Sequence, residues 1–212
     1  DWYHTWYAPN NATLIVVGDV EHNNVFTLAE RYFGPIEAKP LPKVTPPLEI
    51  AGLGERRINV EVTARVPAIY IGYNVPGINT AKEEWEIYAL RMLAGVLDGG
   101  YSARIETELV RKQQITASAG ASYGGFSRGD TLFFLSGVPS QNHTVADVET
   151  ALMDQISRLK TKLAKPEELA RVQAQVISGI IYQQDSISSQ ANQIGRMESI
   201  GRSWQEMDKF AE

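Results

Sequence analysis

The chain has 212 residues, enough to bury a real core, and lies between one large domain and two small ones. At 43% apolar and 21% charged it falls among globular chains, outside the disordered and fibrous classes; a net charge of -5 with no long Lys/Arg tract leaves no electrostatic footprint for nucleic acid or anionic lipid. With no cysteine, disulfides, thiolate nucleophiles and cysteine-ligated zinc are excluded.

Asp1 to Tyr7 is aromatic-rich and reads as the last turns of a helix, ended by Pro9-Asn10-Asn11. The apolar run Ala12 to Gly18 predicts a buried strand; it is far short of the roughly 18 residues that cross a bilayer, so no transmembrane segment is expected. Asn23 or Asn24 can cap a helix running to Tyr32, with Val25, Leu28, Ala29 and Tyr32 on one stripe and Gly34-Pro35 as its stop. Residues 35 to 55 hold Pro35, Pro40, Pro42, Pro46 and Pro47, a composition that prevents helix and central strand and predicts an extended connector within one domain.

Arg57 to Thr63 and Ala68 to Val75 predict two strands, the first alternating Ile58, Val60 and Val62 with Asn59 and Glu61. Thr80 or Asn79 is placed to cap a helix over Ala81 to Leu97, its stripe being Trp85, Tyr88, Ala89, Met92, Leu93 and Val96. Asp98-Gly99-Gly100 ends it, and Ser102 can cap a shorter helix through Leu109 and Val110. Residues 115 to 124 and 131 to 138 form a strand pair joined by "GGFSRGD". Asp147 to Leu163 predicts a helix with Val148, Leu152, Ile156 and Leu159 on its core face. Pro166 in a first turn, followed by Glu167 and Glu168, opens another that runs past Ile180 and breaks near Ser186 to Ser189, and Ser203 starts a last one. The expected fold is therefore α+β, a largely antiparallel sheet with helices on one side.

Chemistry is sparse. His4, His22 and His143 stand alone and neither HExxH nor HxxEH occurs, so a zinc site made by this chain is not expected. "LIVVGDVEHNNVF" has the strand-turn-helix order of a nucleotide site but one glycine where three are needed, and Asp19 and Glu21 would repel phosphate. Ser102 and Ser136 lack a G-x-S-x-G elbow. Glu106 and Glu108 point apart on a helix, while Glu167 and Glu168 suit a first turn without invoking acid-base work. Asn11-Ala12-Thr13 and Asn142-His143-Thr144 match glycosylation acceptors, a pattern that arises often by chance. Trp2, Tyr3, Trp6 and Tyr7 are expected to pack on the core, with a docking platform as the other reading.

Several separated segments share one order with a known family. "YAPNNATLIVVGDV", "AERYFGPI", "PAIYIGYNVPG", "LAGVLDGGYSARIETELV" and "IYQQDSISSQANQIGRMESIGRSW" together resemble the non-metal-binding domain of the pitrilysin and insulysin-like zinc peptidases, the M16 group, over essentially all 212 residues. That group also contains mitochondrial processing peptidase and the bc1 core subunits. The resemblance implies a LuxS/MPP-like metallohydrolase type of fold, with residues 1–212 as a single non-catalytic domain. The opening Asp1-Trp2-Tyr3-His4, without initiator Met or signal peptide, adds the expectation of a piece cut from a longer protein.

Further implications follow from the resemblance. The zinc, its HxxEH motif and the catalytic glutamate belong to a preceding domain, so this chain itself carries no metal, no cofactor and no catalytic residue. Its expected partners are that zinc-binding domain, a second M16-type half or subunit, and a peptide substrate. Some members supply an arginine and a tyrosine from a segment L-R-x-E-x-x-L-x-Y; the matching "LVRKQQITA" has Val110 and Ala117 there, and neither can donate to an oxyanion. Arg111 is one position off, about 100 degrees around an α-helix, so the role is not transferred to it. Tyr101, Arg104 and Arg111 are candidates for contact with substrate or a neighbouring domain, and Gly99 and Gly100 form a structural turn, which the two arginines can hold through carbonyls or acids. The expected function is substrate enclosure in a zinc endopeptidase; the alternative is an assembly subunit that has lost zinc. Compartment stays undetermined, with bacterial periplasm or secretion suspected.

Overall fold

The computed structural model describes residues 1–45 and 54–211. Seven elements carry the fold's centre. Strand β1 (Ile69–Val75) leads to helix α3 (Trp85–Asp98), a π-helix over Ile105–Lys112, the hairpin β2 (Thr116–Tyr123) and β3 (Thr131–Pro139), and helices α4 (Val145–Thr161) and α5 (Pro166–Gln184). Ahead of them lie α1 (Trp2–Trp6) and α2 (His22–Phe33); after them come α6 (Ile187–Ser199) and a 3-10 turn, Trp204–Ala211.

The sheet has the order β1-β3-β2 and both pairings are antiparallel. Along β3, Phe133, Leu135 and Gly137 turn to the core face, and the intervening Leu132, Phe134 and Ser136 turn away, as the strand period of two requires. Against the core face lie Leu97 of α3, Ile105 and Leu109 of the π-helix, and Val148, Ala151 and Leu152 of α4, all in one buried cluster with Ala121, Phe133 and Leu135. A side chain added at Gly137 would place Cβ 2.5 Å from a Val148 methyl, so α4 sits directly on the strand backbone. The α+β class, antiparallel sheet and single covered face expected from sequence are all present.

Local chemistry explains the best-defined boundaries. Thr144 caps α4: its hydroxyl accepts from Asp147 N, while the Asp147 carboxylate accepts from Thr144 N at 2.8 Å, a reciprocal capping box. Pro166 opens α5, where a missing N–H costs nothing. Ser186 accepts from Ser189 N and starts α6 at the break foreseen after Ile180.

Several expectations fail. Residues 12–18 and 57–63 are not strands: Val16, Ile58, Val60 and Val62 are 46%, 82%, 73% and 70% exposed, and neither segment joins the three-stranded sheet. Alternation reports which side chains suit a pleated surface; it does not supply the neighbouring strand that a ladder needs. Trp2, Tyr3 and Tyr7 are exposed, with Tyr3 and Tyr7 stacked at 4.5 Å, and only Trp6 of that group is half-buried, so the core-packing reading of the aromatic opening is overturned. In α2 the cap position is Glu21, with Asn23 and Asn24 already inside the helix, and the expected stripe is only half-buried at Val25 and Ala29.

Helix α3 starts at Trp85, four residues later than expected. Thr80 instead closes a turn by accepting from Gly77 N at 2.9 Å, and Asn79 donates to the Ile200 carbonyl at 2.8 Å. The later start goes with a rotated core face: Ile87 and Leu97 are buried with Val96, while Trp85 and Ala89 are exposed. The connector is irregular over residues 37–45, and Pro46 and Pro47 lie outside the described residues.

Candidate functional site: a braced glycine turn and an open sheet face

The C-terminal end of α3 leaves carbonyls without intrahelical partners. Two side chains of α5 take them: Arg171 Nη1 donates to the Gly99 carbonyl at 2.5 Å and Nη2 to the Gly95 carbonyl at 3.4 Å, and Gln175 Nε2 donates to Gly99 at 2.9 Å. Gly95 itself lies where a Cβ would come 2.4 Å from a Val172 methyl, which fixes how closely α3 and α5 approach. Gly100 has φ +87°, the left-handed region that glycine enters without a Cβ penalty. Gly100→Ala is therefore expected to cost about 1–2 kcal/mol, read as a lowered thermal midpoint; an unshifted midpoint would show that the turn relaxes to negative φ.

Asp98, at the end of α3, ties the turn to the sheet. Its carboxylate accepts from Ala121 N at 3.1 Å on the outer edge of β2, and a Cβ at Gly120 would meet the same oxygen at 2.7 Å. An edge strand presents unpaired N–H groups, and here one is consumed by a carboxylate.

The π-helix positions the two candidate arginines, and it changes one expectation. Gln113 N bonds to the Glu108 carbonyl five residues back, so residues five apart share a face and the α-helical step of about 100 degrees does not apply to Arg111. Arg111 lies 3.7 Å from Glu106, five residues earlier, and reaches Tyr101, ten earlier. Its Nη2 donates to the Tyr101 carbonyl at 2.7 Å and to Thr107 Oγ1 at 2.9 Å, and its guanidinium carbon stands 3.8 Å from the Tyr101 ring centroid. Tyr101 is 72% exposed. Neither Arg104 nor any other residue fills the Ncap role with a side chain, so Ser102 does not cap this helix.

Arg104 points the other way, into α5. Nε and Nη2 reach Glu168 Oε1 and Oε2, each at 2.7 Å, a bidentate pair whose side chains are 16% and 22% exposed. Glu168 also accepts from Lys165 N at 2.8 Å, in the first turn of α5. These contacts hold the Glu168 carboxyl down at about 2, the Arg104 hydrogen bond contributing most and burial opposing it. The structure thus brings Arg111 and Tyr101 together on the surface, and places Arg104 in a contact between the start of the π-helix and α5.

The second feature is the uncovered face of the sheet. Ala68, Tyr70, Ser118, Gly120, Ser136 and Val138 line an open depression of about 360 Å3. Cross-strand register explains it: Tyr70 and Gly120 both pair with Ser136, so three small outer positions lie beside one exposed ring. None of Tyr101, Arg104 and Arg111 lines it. The sequence signal for Ser118 to Gly120 was the small-residue run of β2, but Tyr70 and Ser136 join only through strand order.

The resemblance implies zinc in a preceding domain, not in this chain. Among the described residues no group of three His, Cys, Asp or Glu side chains could hold a metal ion. His4 lies in α1, His22 in α2, and His143 beside Asp147 at 3.9 Å. No helix among the described residues is long and apolar enough to cross a membrane.

The family model described as the peptidase M16 inactive domain matches residues 1–176. The chain belongs to this family. Among curated proteins it is 22% identical over 191 residues to an uncharacterized zinc protease of Rickettsia felis, covering 90% of this chain and 44% of that one. It is 27% identical over 171 residues to the zinc protease PqqE of Helicobacter pylori, covering 76% and 35%. Among solved structures, a protease from Helicobacter pylori superposes with a TM-score of 0.82 at 20% identity, covering 99% of this chain and 50% of that one. The M16 inactive-domain chain thus spans less than half the length of both curated relatives.

Proposed function

We propose that this M16 inactive domain is one wall of a zinc-dependent endopeptidase that acts on peptides or unfolded polypeptides, and that it encloses substrate without cutting it. In this reading residues 1–212 form one non-catalytic domain of a longer protein, its partners being a preceding zinc-binding domain, a second M16-type half and the peptide. The observation that supports it most directly is the open depression on the sheet, where small outer side chains leave room for an extended chain beside Tyr70. The names of the two curated relatives support the zinc protease class. Tyr101 and Arg111, exposed at the glycine turn, are the candidates for contact with substrate or a neighbouring domain; Arg104 is engaged by Glu168 of α5.

The test uses the longer peptidase. Ser118→Trp and Ser136→Trp would fill the depression while leaving the covered face untouched, and kcat/KM for a fluorogenic peptide is expected to fall by about tenfold or more with the melting temperature unchanged. Unchanged kcat/KM in both variants would refute the enclosing role. Peptide hydrolysis by this chain alone, loaded with zinc, would refute its non-catalytic status.

A further inference from the structure

The open depression has a carboxylate on its rim. Gly120 lies in the outer row of the sheet, opposite Ser136, and its ideal Cβ would stand 2.7 Å from Asp98 Oδ2 and 3.9 Å from Ser136 Oγ. The Asp98 carboxylate, which reaches round the edge of β2 to accept from Ala121 N, therefore lies over the outer surface of Gly120. Ser136 pairs in turn with Tyr70, so one row across the sheet runs carboxylate, glycine, serine, ring. Neighbouring strands are about 4.8 Å apart, which puts about 10 Å of floor between Tyr70 and Gly120. Nothing larger than the Ser136 side chain stands between them.

Both ends of that row are open. Tyr70 is 69% exposed: Phe134 stacks beside its ring with centroids 5.7 Å apart, and most of the remaining ring surface is accessible. Asp98 is exposed, and the Ala121 N–H takes only one of the about four lone-pair positions that a carboxylate offers. None of the residues lining the depression is charged, so Asp98 acts across an uncharged floor.

We propose that the depression takes a long basic side chain, lysine or arginine, from the enclosed peptide. The head group meets Asp98, the methylenes cross Gly120 and Ser136, and the Tyr70 ring packs on the stem, so each part of the side chain has a matching surface. An apolar side chain would fill the same space but press hydrocarbon against a carboxylate, and an acidic one would meet a like charge. The net charge of -5 adds a long-range attraction for a cationic peptide. The inference rests on the reading that the depression holds peptide, and it adds which side chain is chosen there.

The probes are C-amidated peptides with an N-terminal coumarin amide and one central arginine, lysine or glutamine among alanines, titrated by fluorescence anisotropy on the intact chain. The arginine and lysine peptides are expected to bind about tenfold or more tightly than the glutamine peptide, with the difference shrinking as salt rises. Asp98→Asn keeps an oxygen for Ala121 N and should erase the preference; Tyr70→Ser, at an exposed position, should weaken both basic peptides by about threefold or more with the melting temperature unchanged. Equal affinity for basic and glutamine peptides, a preference that survives Asp98→Asn, or full affinity in Tyr70→Ser would overturn the proposal. Ser136→Trp separates it from the reading beneath it. If all three peptides bind the native chain alike and Ser136→Trp abolishes their binding, the depression holds peptides without choosing charge and the inference alone falls. If Ser136→Trp leaves every affinity unchanged, the peptides bind elsewhere and the enclosing role falls as well.

Discussion

Leu152→Ala is expected to destabilise the protein by about 2–5 kcal/mol. Leu152 is 1% exposed on the inner face of α4, between Val148 and the sheet. The position opposite it on β3 is Gly137, whose ideal Cβ would lie 3.6 Å from a Leu152 methyl. A cavity at Leu152 therefore borders a residue with no side chain to swing into it, and the backbone of a strand paired on both sides cannot move in either. The cost should sit toward the upper part of that range. For a chain of this length each kcal/mol shifts the midpoint by about 2–4 °C, so the variant should melt roughly 4–20 °C lower. Leu163→Ala is the internal comparison: Leu163 is 83% exposed just past α4, and its loss should change stability by no more than about 0.5 kcal/mol. Equal melting of the two variants would mean that α4 does not pack on β3 as described.

The Leu152 prediction rests on a helix that could be drawn from sequence, and the contrast with other segments shows what makes a helix or strand legible. In α4, Val148, Leu152, Ile156 and Leu159 repeat at helical spacing, Thr144 and Asp147 form the cap, and both signals depend on residues a few positions apart. The same holds for Pro166 at the start of α5 and for the β2–β3 hairpin. Residues 12–18 carry as strong an apolar signal, yet a strand is completed by a neighbour, and which segment will be that neighbour is not written locally. The π-helix is a subtler case. Nothing in "IETELVRK" departs from an ordinary amphipathic helix, yet it forms the wider turn, with Arg111 bonded to Thr107 and Tyr101 on its outer face and Ile105 and Leu109 fully buried on the other. The candidate residues divide along the same line. Arg104 and Arg111 were expected to hold the glycine turn, but the Gly99 carbonyl is taken by Arg171 and Gln175 of α5, and Arg104 finds Glu168, 64 residues on, partners that no local pattern names. The depression beside Tyr70 was hidden for the same reason, because Ala68 and Tyr70 meet Ser118 and Gly120 only through β3, the strand between them.

That long-range pair yields the second large effect, and it carries a pH signature that a packing defect would not. Glu168→Gln keeps the shape of the side chain but removes the charge that Arg104 clasps with two 2.7 Å hydrogen bonds, so a loss of about 1.5–3 kcal/mol at neutral pH is expected. The Glu168 carboxyl titrates at about 2 in the folded chain, against an ordinary value of 4.5. A depressed acid binds its proton more weakly when folded than when unfolded, so its contribution is complete above the unfolded value and drains away as pH falls from 4.5 toward 2. Melting curves of the native chain and Glu168→Gln should therefore be widely separated at neutral pH and converge in acid. A gap of constant size across that window would show that the glutamine variant fails by misfitting the α5 first turn, not by losing a charge. Arg104→Met discriminates further. It strands a carboxylate that Lys165 N still holds at 2.8 Å, so Glu168 should retain part of its depression, and the double variant should be less damaged than the two single losses added together. Additive losses would mean that the two side chains act independently, and the bidentate contact would then not be what fastens the start of the π-helix to α5.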